Sequence, residues 1–177
     1  MHHYDYVVVG AGSAGSALAS RLSESGKFTV CLLEAGGSDK KFWVQMPLGY
    51  GKVFHDPSVN WRYMTEPEPN LDNQSVYWPR GKVLGGSSSI NAMVWVRGHK
   101  RDYEEWASVA PGWDWNNVQK IFNRIENWDG TSDVSRGMNG PQAVHDVSSD
   151  VHPLTISYLE AASQIGIKTN ADYNGPN

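Results

Sequence analysis

Apolar positions open the chain as a continuous valine-rich run, Tyr6 to Val9, the pattern of a parallel strand buried on both faces. From Ser13 the period becomes helical: Ala14, Leu18 and Leu22 recur at fourfold spacing, Arg21, Ser23 and Glu24 take the solvent side, and Gly26 supplies the stop. A second strand-like run at 29–33 ends in Glu34. Between 35 and 74 no period is sustained. Trp43, Met46, Leu48, Tyr50, Val53, Phe54, Trp61 and Tyr63 nevertheless make this stretch too apolar for disorder, which predicts core packing in preference to a substrate channel. A short helix is expected at 102–107, with Tyr103 and Trp106 on one face. Behind Asp114, Val118, Ile121, Phe122 and Ile125 follow i, i+3, i+4, i+7, which predicts a capped scaffold helix. Residues 131–140, rich in Ser, Gly and Asp, read as a flexible surface loop before a strand at 142–147. Pro153 begins a helix through Ile165, stopped by Gly166. No internal repeat is visible.

The glycines between the first strand and helix change this from a generic α/β pattern to a nucleotide site. Gly10 permits the tight turn, Gly12 admits phosphates to a backbone without Cβ, and Gly15 lets helix and strand pack closely. A pyrophosphate then lies at the helix N-terminus, and the Glu34 carboxylate is placed to accept hydrogen bonds from ribose hydroxyls. Its charge disfavours the 2′-phosphate of NADP. These residues alone leave NAD and FAD both open.

A second glycine stretch, WPRGKVLGGSSSINAMVWVRG at 78–98, is more than an ordinary NAD-binding unit needs. Gly85-Gly86 permits close backbone approach, Ser87, Ser88 and Ser89 offer hydroxyls, and Asn91 carries an amide that donates and accepts. That inventory suits a pyrophosphate or an isoalloxazine edge, and equally a Ser/Gly turn between apolar strands.

GAGSAG with LLEAGG, then RGKVLGGSSSINAMVWVRG and DYEEWA, resembles the glucose-methanol-choline (GMC) family of FAD-dependent oxidoreductases, nearest to its bacterial alcohol and choline dehydrogenases. The resemblance implies an α/β fold: a Rossmann-like FAD-binding domain of GMC type, incomplete, with the start of an α+β substrate domain. By this resemblance 1–150 is the FAD-binding domain, including a flavin-covering segment at 65–98, and 151–177 begins the substrate-domain region, the rest of the family's chain being absent. The family pattern assigns the pyrophosphate to Gly10, Gly12, Ser13, Ala14 and Gly15, and the ribose to Glu34 with Ala35 beside it. Val83, Ser87, Asn91, Ala92 and Val94 fall at positions that lie against the phosphates and the flavin. Some members attach FAD covalently through a histidine where this chain has Ile90, so the resemblance implies a non-covalent flavin. His99 reads as an ordinary surface or loop residue.

The family oxidises alcohols with a histidine base, paired with a second histidine or an asparagine, from its carboxyl-terminal portion. His55, His145 and His152 match no catalytic motif, so no catalytic residue and no metal site is assigned, and the chain alone is expected to turn over no alcohol. An NAD-dependent dehydrogenase or reductase, and a non-catalytic nucleotide-binding module, are the alternatives. The expected partners are a small-molecule alcohol and the remaining carboxyl-terminal part of the same protein.

Composition narrows this further. The 177 residues suit one domain, and the turn chemistry of Asn174-Gly175-Pro176-Asn177 suggests truncation. A net charge of −4 and a pI near 5.8, with lysine and arginine only in pairs, argue against nucleic acid. No apolar run approaches the ~20 residues of a membrane span. The first strand starts too early to leave room for a signal peptide, and Cys31 is the only cysteine, which suits a cytoplasmic location.

Overall fold

The computed structural model describes residues 2–131 and 133–175. The chain divides after Val94 into two compact units. Met1, Ser132 and the last two residues of the expected terminal turn, Pro176 and Asn177, lie outside the described residues.

The first unit opens with the expected βαβ unit: β1 (Tyr6–Val9), α1 (Ser13–Ser23) and β2 (Val30–Leu33). β1 and β2 pair in parallel, Tyr6 opposite Val30 through Val9 opposite Leu33. Asp5 ties the two strand starts together, its carboxylate accepting from the Thr29 N–H at 2.7 Å and the Thr29 hydroxyl at 2.8 Å. These bonds hold the Asp5 carboxyl below its ordinary value. Burial on both faces does not hold for β1: Val8 is buried, whereas Val9 is 83% exposed. A sheet of two strands, all that forms here among the described residues, leaves most of both faces uncovered.

The aperiodic stretch folds as α2 (Phe42–Gln45), a 3₁₀ turn at Pro47–Gly49 and α3 (Tyr50–Val53), followed by a hairpin of β3 (Tyr63–Met64) and β4 (Tyr77–Trp78). Its core differs from expectation. Val53, Val59, Val83 and Ile90 form the buried cluster, with Val44 packed against it. Trp43, Leu48, Tyr50, Trp61 and Tyr63 are exposed, so the predicted aromatic core is corrected to an aliphatic one. Small branched side chains fill the centre between tight turns, and the large rings pair on the surface, Trp61 stacked on Tyr63 at 5.9 Å with Lys82 over the indole.

The second unit holds α4 (Lys100–Ala107), α5 (Trp115–Ile125), β5 (Glu126–Trp128), β6 (Gln142–Val144) and α6 (Pro153–Gln164). Asp114 caps α5 as expected, accepting from the Asn117 N–H at 3.1 Å. His99 does more than a plain loop residue would. Its Nδ1 accepts from the Arg101 N–H, and the Asp102 carboxylate returns the bond to the His99 N–H, closing a capping box on α4. His152 caps α6 by its ring alone, Nδ1 accepting from the Leu154 N–H with no bond returned.

A buried ion cluster organises this unit. Glu126 is wholly buried. Its Oε2 accepts from Arg97 Nη2 at 2.6 Å and the Gly137 N–H at 2.9 Å, and its Oε1 from the Trp95 indole at 2.7 Å. Arg136 approaches Oε1 at 3.1 Å, donates to Asp172 and stacks on Trp128. Burial pushes the Arg97 guanidinium down from its ordinary range, an effect opposed by Glu126. The expected flexible loop at 131–140 is therefore corrected: Ser135, Arg136 and Gly137 are buried, drawn in by charges distant in sequence. The terminal turn is packed as well, Asn174 accepting from the Arg97 N–H and donating to the Trp95 carbonyl.

Candidate functional site

The site is built where the two glycine stretches meet within the first unit. Gly10 turns the chain out of β1 at φ +95°, and its N–H donates to the Leu33 carbonyl at 2.7 Å. Gly12 sits at the N-cap of α1, so no side chain caps the helix, and no acid lies in its first turn. Its first N–H groups and positive dipole end remain available to an anion. A Cβ on Gly15 would lie 1.9 Å from the Gly10 carbonyl oxygen, so this glycine is what allows helix and turn to touch.

The second stretch lies directly on the first. Gly85 donates to the Ala11 carbonyl at 2.8 Å, Leu84 donates to the Gly37 carbonyl, and the hydroxyls of Ser13 and Ser88 are hydrogen-bonded across the junction. A Cβ on Gly86 would stand 2.9 Å from Gly12 Cα. The two bare-backbone patches thus form one continuous surface.

Of the residues singled out from sequence, Gly10, Gly12, Ser13, Ala14 and Gly15 surround the start of α1, with Ser13 and Ala14 exposed. Glu34, half-buried, accepts from the Ala11 N–H through Oε2 and from the Gly36 N–H through Oε1, both at 2.8 Å. Its carboxylate braces the glycine turn and keeps further lone pairs free. Ala35 is exposed beside it. Val83 is fully buried, main chain included, and its carbonyl accepts from the Gly86 N–H at 2.7 Å. The Ser87 hydroxyl accepts from the Gly81 N–H, which turns it into the local loop. Asn91, Ala92 and Val94 are exposed, Asn91 spending its carbonyl oxygen on the Met93 N–H at 2.8 Å. The serine that reaches the first glycine turn is Ser88, which the sequence offered as one of three hydroxyls without distinguishing it. A cavity of about 140 Å³ runs beside this segment, lined by Ser88, Ile90, Asn91 and Met93 and, opposite, by Trp43 and Tyr50.

The GMC oxidoreductase family model matches residues 4–177. The chain belongs to the GMC oxidoreductase family. It is 46% identical over 175 residues to an oxygen-dependent choline dehydrogenase of Vibrio vulnificus (strain YJ016), covering 98% of this chain and 31% of that protein. The fold superposes on pyridoxine 4-oxidase from Mesorbium loti with a TM-score of 0.85 at 34% identity, over 93% of this chain and 32% of that one. An FAD-dependent oxidoreductase from Chaetomium thermophilum gives a TM-score of 0.76 at 29% identity, over 93% of this chain and 30% of that one. This GMC chain therefore spans about a third of the length of such relatives, matching their amino-terminal FAD-binding region. The α/β class expected from sequence holds. No helix among the described residues is long and apolar enough to cross a membrane, and no cluster of possible metal ligands occurs among them.

Proposed function

We propose that this chain binds FAD non-covalently and forms the cofactor-binding part of an oxidoreductase acting on the CH–OH group of an alcohol. The observation that carries the reading is the uncapped start of α1 lying against Gly85, Gly86 and Ser88 on one surface. The residues fit a dinucleotide: unpaired helix N–H groups for the pyrophosphate, Ser13 and Ser88 hydroxyls beside them, and Glu34 lone pairs for the ribose. Ile90 supports a dissociable flavin. It is 3% exposed and packs among Val53, Val59 and Val83, and it carries no nucleophilic nitrogen.

FAD, when bound, supplies the hydride acceptor at flavin N5 for the alcohol carbon. The chain's own residues bind and orient. The proposed catalytic base belongs to a part of the complete enzyme outside these 177 residues; His55, His145 and His152, which match no catalytic motif, are engaged locally, His145 pairing with Asp129, His152 capping α6 and His55 stacking on Tyr77. The choline dehydrogenase relatives support a small alcohol as substrate and the pairing of this region with a longer carboxyl-terminal part. The single cysteine supports a cytoplasmic location.

The test is titration of the purified chain with FAD and, separately, with NAD. Saturable quenching of flavin fluorescence, and release of free FAD on acid precipitation, are expected. A chain that ignores FAD or takes NAD instead overturns the reading.

A further inference from the structure

Four non-glycine residues among those described adopt left-handed backbone: Arg62, Asp72, Asn73 and Met93. Aspartate and asparagine tolerate this conformation; arginine and methionine gain no such relief from their own side chains. Both are held by the same arrangement. The Arg62 N–H donates to Asn60 Oδ1 at 2.9 Å, and the Met93 N–H donates to Asn91 Oδ1 at 2.8 Å, so an asparagine two positions earlier closes a turn over each strained residue.

At Met93 the strained turn falls inside the segment assigned to the flavin, between Ala92 and Val94, and beside the cavity that Asn91 and Met93 line. Ile90, just before it, is anchored in the core. The segment thus leaves a fixed point at Ile90 and reverses at Met93 under the control of one side-chain oxygen. Left-handed backbone at a residue with Cβ costs energy, so without the Asn91 bond Met93 relaxes to negative φ and the main chain of 92–94 turns away.

We propose that Asn91 is a positioning residue for the cofactor: it acts through the Met93 main chain, by fixing the turn that presents Ala92 and Val94. This rests on the FAD-binding reading above. It assigns the Asn91 oxygen to the protein's own backbone, leaving direct cofactor contact to the main chain that follows.

The test is a double-mutant cycle of Asn91→Ala and Met93→Gly, read as FAD dissociation constant and as amide hydrogen exchange at residue 93 in the FAD-free chain. Glycine adopts positive φ without strain, so a chain with glycine at 93 no longer needs the asparagine. Asn91→Ala is expected to weaken FAD about tenfold in the parent and less than about twofold in the Met93→Gly background, since about 1.4 kcal/mol of strain corresponds to tenfold. Exchange at residue 93 should accelerate about tenfold with Asn91→Ala. The Gly85 amide, bonded to Ala11, reports that the fold is intact if its exchange is unchanged. An Asn91→Ala penalty that is equal in both backgrounds assigns the side chain a direct cofactor contact and overturns the proposal, as does unchanged exchange at residue 93. Failure of the parent chain to bind FAD is a different outcome, and overturns the functional reading on which the proposal stands.

Discussion

Gly12→Ala and Gly15→Ala separate what the first glycine turn does for the fold from what it does for a ligand. At Gly12 the backbone is ordinary, φ −76° and ψ −170°, and a new Cβ would have Gly86 Cα as its nearest neighbour at 3.9 Å, plain van der Waals contact. Neither strain nor overlap opposes alanine, and the loss at an N-cap is limited to about 1 kcal/mol. At Gly15 the added Cβ would lie 1.9 Å from the Gly10 carbonyl oxygen, more than an ångström inside the 3.0 Å that real Cβ atoms respect, and 3.4 Å from Val8 Cγ1. Overpacking of that kind costs about 1–3 kcal/mol, and the overlap with a backbone oxygen puts Gly15 at the upper end; offset by about 1 kcal/mol of better helix propensity, this leaves a net loss of up to about 2 kcal/mol. Against a total stability of roughly 5–15 kcal/mol this shift is large enough to measure. The methyl at position 12 nonetheless stands at the helix start, where the pyrophosphate is proposed. Displacing two charge-assisted bonds, each contributing about 1.5–3 kcal/mol, weakens FAD at least about 100-fold. Urea unfolding followed by circular dichroism, beside FAD titration, reads both effects. Gly12→Ala should unfold near the parent midpoint and fail to bind, whereas Gly15→Ala should lose stability as well. An alanine-12 chain that binds FAD like the parent refutes the placement of the phosphates.

Glu126→Gln leaves two buried guanidiniums with only the partly exposed Asp172 as counter-charge, and should cost about 3–5 kcal/mol in urea unfolding; a loss below about 1 kcal/mol would show that the cluster carries little. Asp5, Asp56, Asp129, Asp133 and Asp146 all have carboxyls held below their ordinary 3.8, by hydrogen bonds from Thr29, Ser58, His145, Ser135 and Ser148 respectively. A depressed folded-state value gives stability that is complete above the unfolded value and lost as pH falls through the folded one, so the urea midpoint should decline below about pH 4. An unchanged midpoint at about pH 3 contradicts this. Ile90→His should not create a covalent flavin, because the side chain enters the Val53, Val59 and Val83 cluster; flavin fluorescence on a denaturing gel would disprove it.

The βαβ turn was legible because each of its parts is local: an apolar run makes the strand, fourfold spacing makes the helix, and glycines stand where the backbone needs them. The capped helix after Asp114 was legible for the same reason. What escaped depends on partners far apart in sequence. Arg97, Glu126, Arg136 and Asp172 look like ordinary surface charges along the chain, and the Ser/Gly/Asp composition around Arg136 reads as a mobile loop until Glu126 is placed beside it. Ser88 could not be told from Ser87 and Ser89, since only folding brings Ser13 to one of them. The aromatics between 35 and 74 are apolar without being buried, because branched aliphatics fill the centre first.

The two units order their irregular segments by different chemistry, and the difference bears on function. In the second, long-range order comes from charges withdrawn from water, an arrangement that fails sharply when one partner is removed and has little tolerance for adjustment. In the first, apart from a small aliphatic core, order comes from main-chain bonds between turns: Gly85 to Ala11, Leu84 to Gly37, Lys82 to the Val59 carbonyl, and the asparagines that close over Arg62 and Met93. A backbone-held surface exposes N–H groups and keeps side chains out of the way, which is what an extended anionic cofactor requires of its floor. The glycines that make these approaches possible are mostly demanded by the chain's own contacts, as at Gly15 and Gly86. At Gly12, as at Gly37 and Gly51, those contacts demand nothing: its backbone is unstrained and an added Cβ would meet nothing closer than 3.9 Å, so beyond the modest N-cap preference over alanine the protein alone gives no reason for a glycine there. A ligand lying over the start of α1 does give one.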